Sequence, residues 1–121
     1  MATILVVDDD PNNRLLLASI LKYAAHTVLE AENGADGLEL ASQHVPDLAI
    51  VDLYMPVVDG VTFVRRMRDD PALASVKIAI STGTMMTAAI EDFLEAYRVE
   101  AIIPKPSEPQ EILERVRTAL G

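Results

Sequence analysis

The sequence predicts an α/β domain of five successive strand and helix units around one parallel sheet, and three observations predict it. Short β-branched runs alternate with longer stretches of helical spacing along the whole chain. Two of the runs, Ile4-Leu5-Val6-Val7 and Leu48-Ala49-Ile50-Val51, are apolar at every residue, as strands covered on both faces must be. Both stop abruptly at an aspartate, Asp8 and Asp52. With 121 residues, half of them apolar, and no low-complexity or Gly/Ser linker segment, the chain reads as one domain over residues 1–121.

Each element follows from a local signal. The first strand is Thr3 to Val7. Asp10-Pro11 then supplies a cap and a proline for the first helical position, and Leu17, Ile20, Leu21 and Ala24 recur on one face of the first helix. Residues 27 to 31 form the second strand, Asn33-Gly34 a turn, and Leu38, Leu40 and Ala41 a short helix ending near Gln43. Val45-Pro46-Asp47 breaks it before the third strand, 48 to 51. Met55-Pro56 and Asp59-Gly60 bound the next loop, followed by a helix over about 61 to 68 and a strand over 76 to 80. Ile90, Phe93, Leu94 and Tyr97 carry the helical stripe of a fourth helix, about 84 to 97, and 99 to 103 is the fifth strand. Ser107-x-x-Gln110 has the form of a capping box opening a last helix with Ile112, Leu113, Val116 and Leu120 inward.

Composition excludes several classes. There is no cysteine, so no disulfide framework, thiolate metal site or thiol nucleophile; this suits a reducing cytoplasm, the expected location. No apolar run approaches the roughly 18 residues that span a bilayer, so no membrane association is expected. A net charge of −9 without a dense Lys/Arg cluster disfavours direct nucleic-acid binding and suits a divalent cation or a basic partner.

In an open parallel sheet every strand delivers its following residues to the same edge. Asp8 and Asp9, Asp52, Ser81 and Thr82, and Lys105 should therefore meet there. Carboxylates so close repel unless a cation sits between them, and a hard oxygen set with room for water suits Mg²⁺ better than Ca²⁺. Asp8-Asp9-Asp10 alone would be a helix cap and a charged turn; a second strand ending in Asp on the same edge argues for a site. Asp52 then reads as a nucleophilic carboxylate that accepts a phosphoryl group, with Lys105 and Ser81 placed to neutralise charge on the phosphoryl oxygens. The prolines flanking Lys105 fix its backbone and leave a cis Lys105-Pro106 bond open. His26 and His44 are expected to be solvated, and Met85-Met86 reads either as a soft partner surface or as core filling.

These residues resemble the receiver domain of bacterial response regulators across essentially the whole chain. Ile4 to Asp9 resembles its first strand and acidic pair, residues 47 to 60 its phosphoacceptor segment, Ser81 its switch hydroxyl, and Lys105-Pro106 its lysine and cis proline. The resemblance implies a flavodoxin-like sheet of order 2-1-3-4-5, an order for which a receiver protein is itself a standard example. It implies a site in which Asp8, Asp9, Asp52 and the Tyr54 carbonyl hold Mg²⁺ while Lys105 and Ser81 bind phosphate oxygens. The donor would be a sensor histidine kinase or a phosphotransfer protein. The recipient of the signal would be a downstream protein or attached output domain, with a homodimer through the fourth-helix, fifth-strand, fifth-helix face as another partner.

Two positions depart from the family pattern: Ile102 stands where an aromatic switch residue is frequent, and Ser107 follows Lys105-Pro106 where an aromatic or small residue is common. Both bear on output coupling and neither on phosphorylation. Switching is therefore expected to run through Ser81 and Thr82-Gly83-Thr84 toward the fourth helix. A Mg²⁺-dependent phosphohydrolase with an Asp nucleophile is the competing enzyme reading, but the position two residues on, where such enzymes carry a second Asp, is Tyr54. A third reading is a docking module of a larger sensor kinase or cyclase; no output segment follows Gly121, which fits either a stand-alone regulator or a piece of a longer chain.

Overall fold

Full burial of both faces is the reason the all-apolar runs lie at the centre of the sheet. The computed structural model describes residues 1–55, 58–83 and 86–121. In chain order it comprises β1 (Thr3–Val7), α1 (Pro11–Tyr23), β2 (Thr27–Ala31), α2 (Gly34–His44), β3 (Leu48–Asp52), α3 (Gly60–Asp69), β4 (Lys77–Thr82), α4 (Ala88–Ala96), β5 (Ala101–Pro104) and α5 (Pro109–Leu120). All strand pairs are parallel and the order is β2-β1-β3-β4-β5, the flavodoxin-like arrangement expected. Alternate strand residues feed two separate cores. Ile4, Val6, Leu48 and Ile50 pack with Leu17, Leu21, Ile112 and Val116 beneath α1 and α5. Leu5, Val7, Val51 and Ile80 pack with Phe63, Val64, Met67 and Leu94 beneath α2, α3 and α4.

Several boundaries differ from the sequence expectation, each through a hydrogen bond that periodicity does not encode. Asn33-Gly34 is a helix start rather than a free turn: the Asn33 side chain accepts from Asp36 N–H at 2.8 Å, and Gly34 is the first residue of α2. Asp59 likewise caps α3 through Thr62 N–H, so that helix begins at Gly60. Thr87 caps α4 by accepting from Ile90 N–H, which starts the helix at Ala88 instead of near position 84; Thr84 and Met85 lie outside the described residues. Val99 belongs to the exit from α4, donating to Leu94 O at 3.0 Å, and β5 begins two residues later.

The expected capping box at 107–110 does not form. The Ser107 hydroxyl donates to Pro104 O, the cap position falls on Glu108 without a side-chain bond, and Pro109 takes the first helical position that suits its fixed φ. On α5, Ile112, Val116 and Ala119 are buried whereas Leu113 and Leu120 are only partly so. His26 is not simply solvated: it is partly buried and its Nδ1 accepts from Ala2 N–H at 3.1 Å, while burial and then the N-terminal charge pull its pKa below the usual range. His44 is exposed.

At the sheet edge away from the aspartates, one buried guanidinium ties the α3–β4 and α4–β5 connections together. Arg68, near the end of α3, has a side chain 5% exposed. Its Nε donates to Tyr97 O at 2.8 Å, Nη1 to Ala74 O and Val76 O, and Nη2 to Arg98 O at 2.9 Å and Glu100 Oε1 at 3.0 Å. That Glu100 oxygen also accepts from Ile78 N–H at 2.7 Å. Removing the fork leaves several carbonyls without partners, so Arg68→Ala should cost about 3 kcal/mol in urea unfolding, with Arg68→Lys recovering less than half. A loss under about 1 kcal/mol would show that water replaces the guanidinium at little cost.

Candidate functional site

The parallel register determines which side chains meet. Asp52 is the last residue of β3 and pairs in register with Ser81 of β4, while Thr82 pairs with Pro104, so Lys105 leaves the sheet beside them. Lys105 N–H donates to Thr82 O at 2.9 Å, and the Lys105-Pro106 bond is cis. Asp8 leaves β1 next to β3 and is 3% exposed; its N–H donates to Ala31 O at 3.1 Å and its Oδ1 accepts from Asp10 N–H at 2.9 Å. Ser81 and Thr82 are buried inside β4 rather than beyond its end.

Close approach of the α3 start to the end of β3 makes Gly60 obligatory. A Cβ there would stand 2.6 Å from Asp52 O and 2.8 Å from Leu53 Cα, both backbone atoms, and Gly60 N–H donates to Leu53 O at 3.0 Å. The loop can return to the strand that carries Asp52 only where no side chain intervenes.

The convergence expected at this edge is present. Asp8, Asp9 and Asp52 each offer a carboxylate oxygen, and these oxygens lie within 4.8 Å of one another. Opposite ligands of one Mg²⁺ stand about 4 Å apart, so the set fits that ion with small adjustments. Lys105 Nζ lies 2.8 Å from Asp8 Oδ2 and 3.6 Å from Asp52 Oδ2, and Asp8, Ser81 and Lys105 line one cleft together with α1 and the β5–α5 connection. Tyr54 is half exposed and its N–H approaches Asp52 Oδ1 at 3.4 Å. Met86 is partly buried against the α2–α4 core, the core-filling alternative for that residue.

Electrostatics single out Asp52. Burial raises its pKa above the usual aspartate value, the Lys105 ammonium lowers it, Asp8 and Asp9 raise it further, and the Tyr54 N–H lowers it. Raised net, the Asp52 carboxylate is less comfortable ionised in the fold than in water, a state suited to gaining a cation. Sequence reasoning missed Arg14, whose Nη1 donates to the Asp8 backbone carbonyl at 2.9 Å. The available signal was a cation in the first turn of a helix, where the macrodipole disfavours it.

Comparisons with known proteins agree with this geometry. The family model for the response regulator receiver domain matches residues 4–117. Protein PilH of Pseudomonas aeruginosa is 39% identical over 82 residues, 68% of each chain. Chemotaxis protein CheY of Bacillus subtilis is 32% identical over 119 residues, covering 98% of this chain and 97% of that one. The DNA-binding regulator RpaA of Synechocystis is 35% identical over 99% of this chain but only 49% of its own length. Among solved structures, chemotaxis protein CheY4 of Vibrio cholerae superposes with a TM-score of 0.91 at 26% identity over 98% of both chains.

Because the folded pKa of Asp52 is raised, its ionisation subtracts stability as pH rises through that value, and nothing is lost below about pH 3.8, where both states are protonated. In EDTA, Asp52→Asn should therefore melt higher than wild type at pH 7. The gain should vanish as pH falls toward the ordinary aspartate range; a gain independent of pH would assign it to packing instead.

Proposed function

The chain belongs to the response regulator receiver domain family, and on that premise we propose that residues 1–121 act as one phosphoacceptor unit of two-component signalling. Asp52 takes a phosphoryl group from the phosphohistidine of a sensor kinase or phosphotransfer protein. The observation that carries this reading is the pairing of a partly buried, raised-pKa Asp52 with the Lys105 ammonium 3.6 Å away and two further carboxylates at the same edge.

In the reaction an Asp52 carboxylate oxygen forms a bond to phosphorus, the phosphorus–nitrogen bond of the donor breaks, and the departing imidazole nitrogen keeps the electron pair and takes a proton from solvent. Lys105 neutralises charge on the transferred group, and the Ser81 hydroxyl donates to one of its oxygens. Asp8, Asp9, Asp52 and the Tyr54 carbonyl would hold Mg²⁺, which when bound supplies charge neutralisation on the phosphoryl oxygens. Asp8 needs Lys105 for its own charge, so the ammonium serves the resting site as a counter-ion before it serves the phosphate.

The reading places the chain in the cytoplasm with its donor; among the described residues no helix is long and apolar enough to cross a membrane. The recipient of the signal is a downstream protein or an attached output domain, reached through the α4-β5-α5 face, which also offers a homodimer. With Ile102 in β5 in place of a ring, the signal leaves by Ser81 and the β4–α4 connection rather than by rotation of an aromatic side chain. The phosphohydrolase alternative lacks its acid, since Tyr54 stands two residues after Asp52.

Incubation with acetyl phosphate and Mg²⁺ should add about 80 Da, one phosphoryl group, to the wild-type chain and nothing to Asp52→Asn. Labelling of the mutant would move the acceptor elsewhere. Mg²⁺ should also raise Tm, by the equivalent of about 2.7 kcal/mol at a hundredfold excess over Kd, and the rise should shrink in Asp9→Ala. Equal responses in the two proteins would remove Asp9 from the metal site.

A further inference from the structure

The two acidic residues after β1 are held in very different ways. Every polar group of Asp8 is engaged: N–H with Ala31 O, Oδ1 with Asp10 N–H, Oδ2 with Lys105 Nζ, and its carbonyl with Arg14 Nη1. Asp9 is exposed, and among the described residues its carboxylate has no hydrogen-bond or ion-pair partner. The place of Asp9 is therefore set by its backbone, and the peptide that joins it to Asp8 carries the carbonyl that Arg14 grips at 2.9 Å.

Arg14 is itself fixed. Its Nε lies 3.5 Å from Glu30 Oε1 on β2, its side chain is 18% exposed, and its N–H donates to Asp10 O at 3.0 Å in the first turn of α1. A cation four residues into a helix opposes the macrodipole, so this position costs the helix something that its local sequence does not repay. The compensating contacts are with Glu30 and with the acidic loop.

We propose that Arg14, anchored by Glu30, is a positioning residue of the acidic site: by holding the Asp8 carbonyl it orients the peptide that carries Asp9 toward the metal. The inference rests on the metal-binding reading of Asp8, Asp9 and Asp52. Its sign is distinctive. As a mere nearby charge, Arg14 would repel a divalent cation, and its removal would tighten binding. As an outer support of a ligand, its removal loosens binding, and loss of such supports commonly costs about tenfold or more in metal affinity.

The experiment is calorimetric titration of MgCl2 into wild type, Arg14→Gln, Arg14→Lys, Asp9→Ala and the Arg14→Gln/Asp9→Ala double variant, with melting curves in EDTA to establish that each is folded. Arg14→Gln and Arg14→Lys should both bind Mg²⁺ about tenfold more weakly, Lys because it keeps the charge but not the fork. The double variant should bind no more weakly than Asp9→Ala alone, within about twofold, because Arg14 acts through Asp9. Unchanged or tighter binding in Arg14→Gln, or losses that multiply in the double variant, would overturn the proposal while leaving the metal site standing. No saturable Mg²⁺ response in the wild type would instead overturn the metal site, and the proposal with it.

Discussion

One ammonium group reconciles the negative charge of this edge with a folded protein. Lys105 Nζ stands 2.8 Å from Asp8 and 3.6 Å from Asp52, in a chain whose formal charge is −9. Without it, carboxylates gathered within 4.8 Å would favour protonation or separation of the strand ends that carry them. The parallel sheet creates the problem, because it sends β1, β3, β4 and β5 toward the same edge, and it also supplies the remedy through the loop after β5. The proposed function draws on the same juxtaposition: a partly buried carboxylate would attack an electrophilic phosphorus while the neighbouring cation offsets charge on the transferred group.

What was legible in the sequence is what depends on periodicity and on strand termination. All-apolar runs identify β1 and β3 because only doubly covered strands tolerate such composition, and the aspartates ending them mark the edge where ligands gather. Residues 8, 9, 52, 81 and 105 could be gathered from those rules alone, since parallel topology converts position along a strand into position in space. The helix starts were less legible. Asn33 and Thr87 cap helices whose starts the apolar pattern did not mark, and Pro109 overrode an apparent capping box by claiming the first helical position.

Less legible still were two arginines, Arg14 and Arg68, that hold backbone carbonyls as well as carboxylates. Arg68 bonds carbonyls 29 and 30 positions away, and Arg14 reaches back six positions to Asp8 O while pairing with Glu30 across to β2. Arg14 left only the weak signal of a cation in a helix's first turn, and Arg68, near the end of α3 where a cation is ordinary, left none. The two stand toward opposite edges of the sheet, one beneath the chemistry and one beyond the far ends of β4 and β5.

The Arg68 clasp also gives the two ends of α4 different anchors, which would shape any response of that helix under the proposed function. It grips the carbonyls of Tyr97 and Arg98, at the exit from α4, whereas the start of the helix at Thr87 is held by its own cap and follows the strand that carries Ser81. Nine residues make a rod of about 13 Å. With its far end pinned, a shift of about 2 Å at the near end becomes a tilt of roughly 9° about a fixed fulcrum rather than a slide along the sheet. In such a tilt the outer surface nearest Thr87 would travel farthest and the surface nearest Tyr97 least.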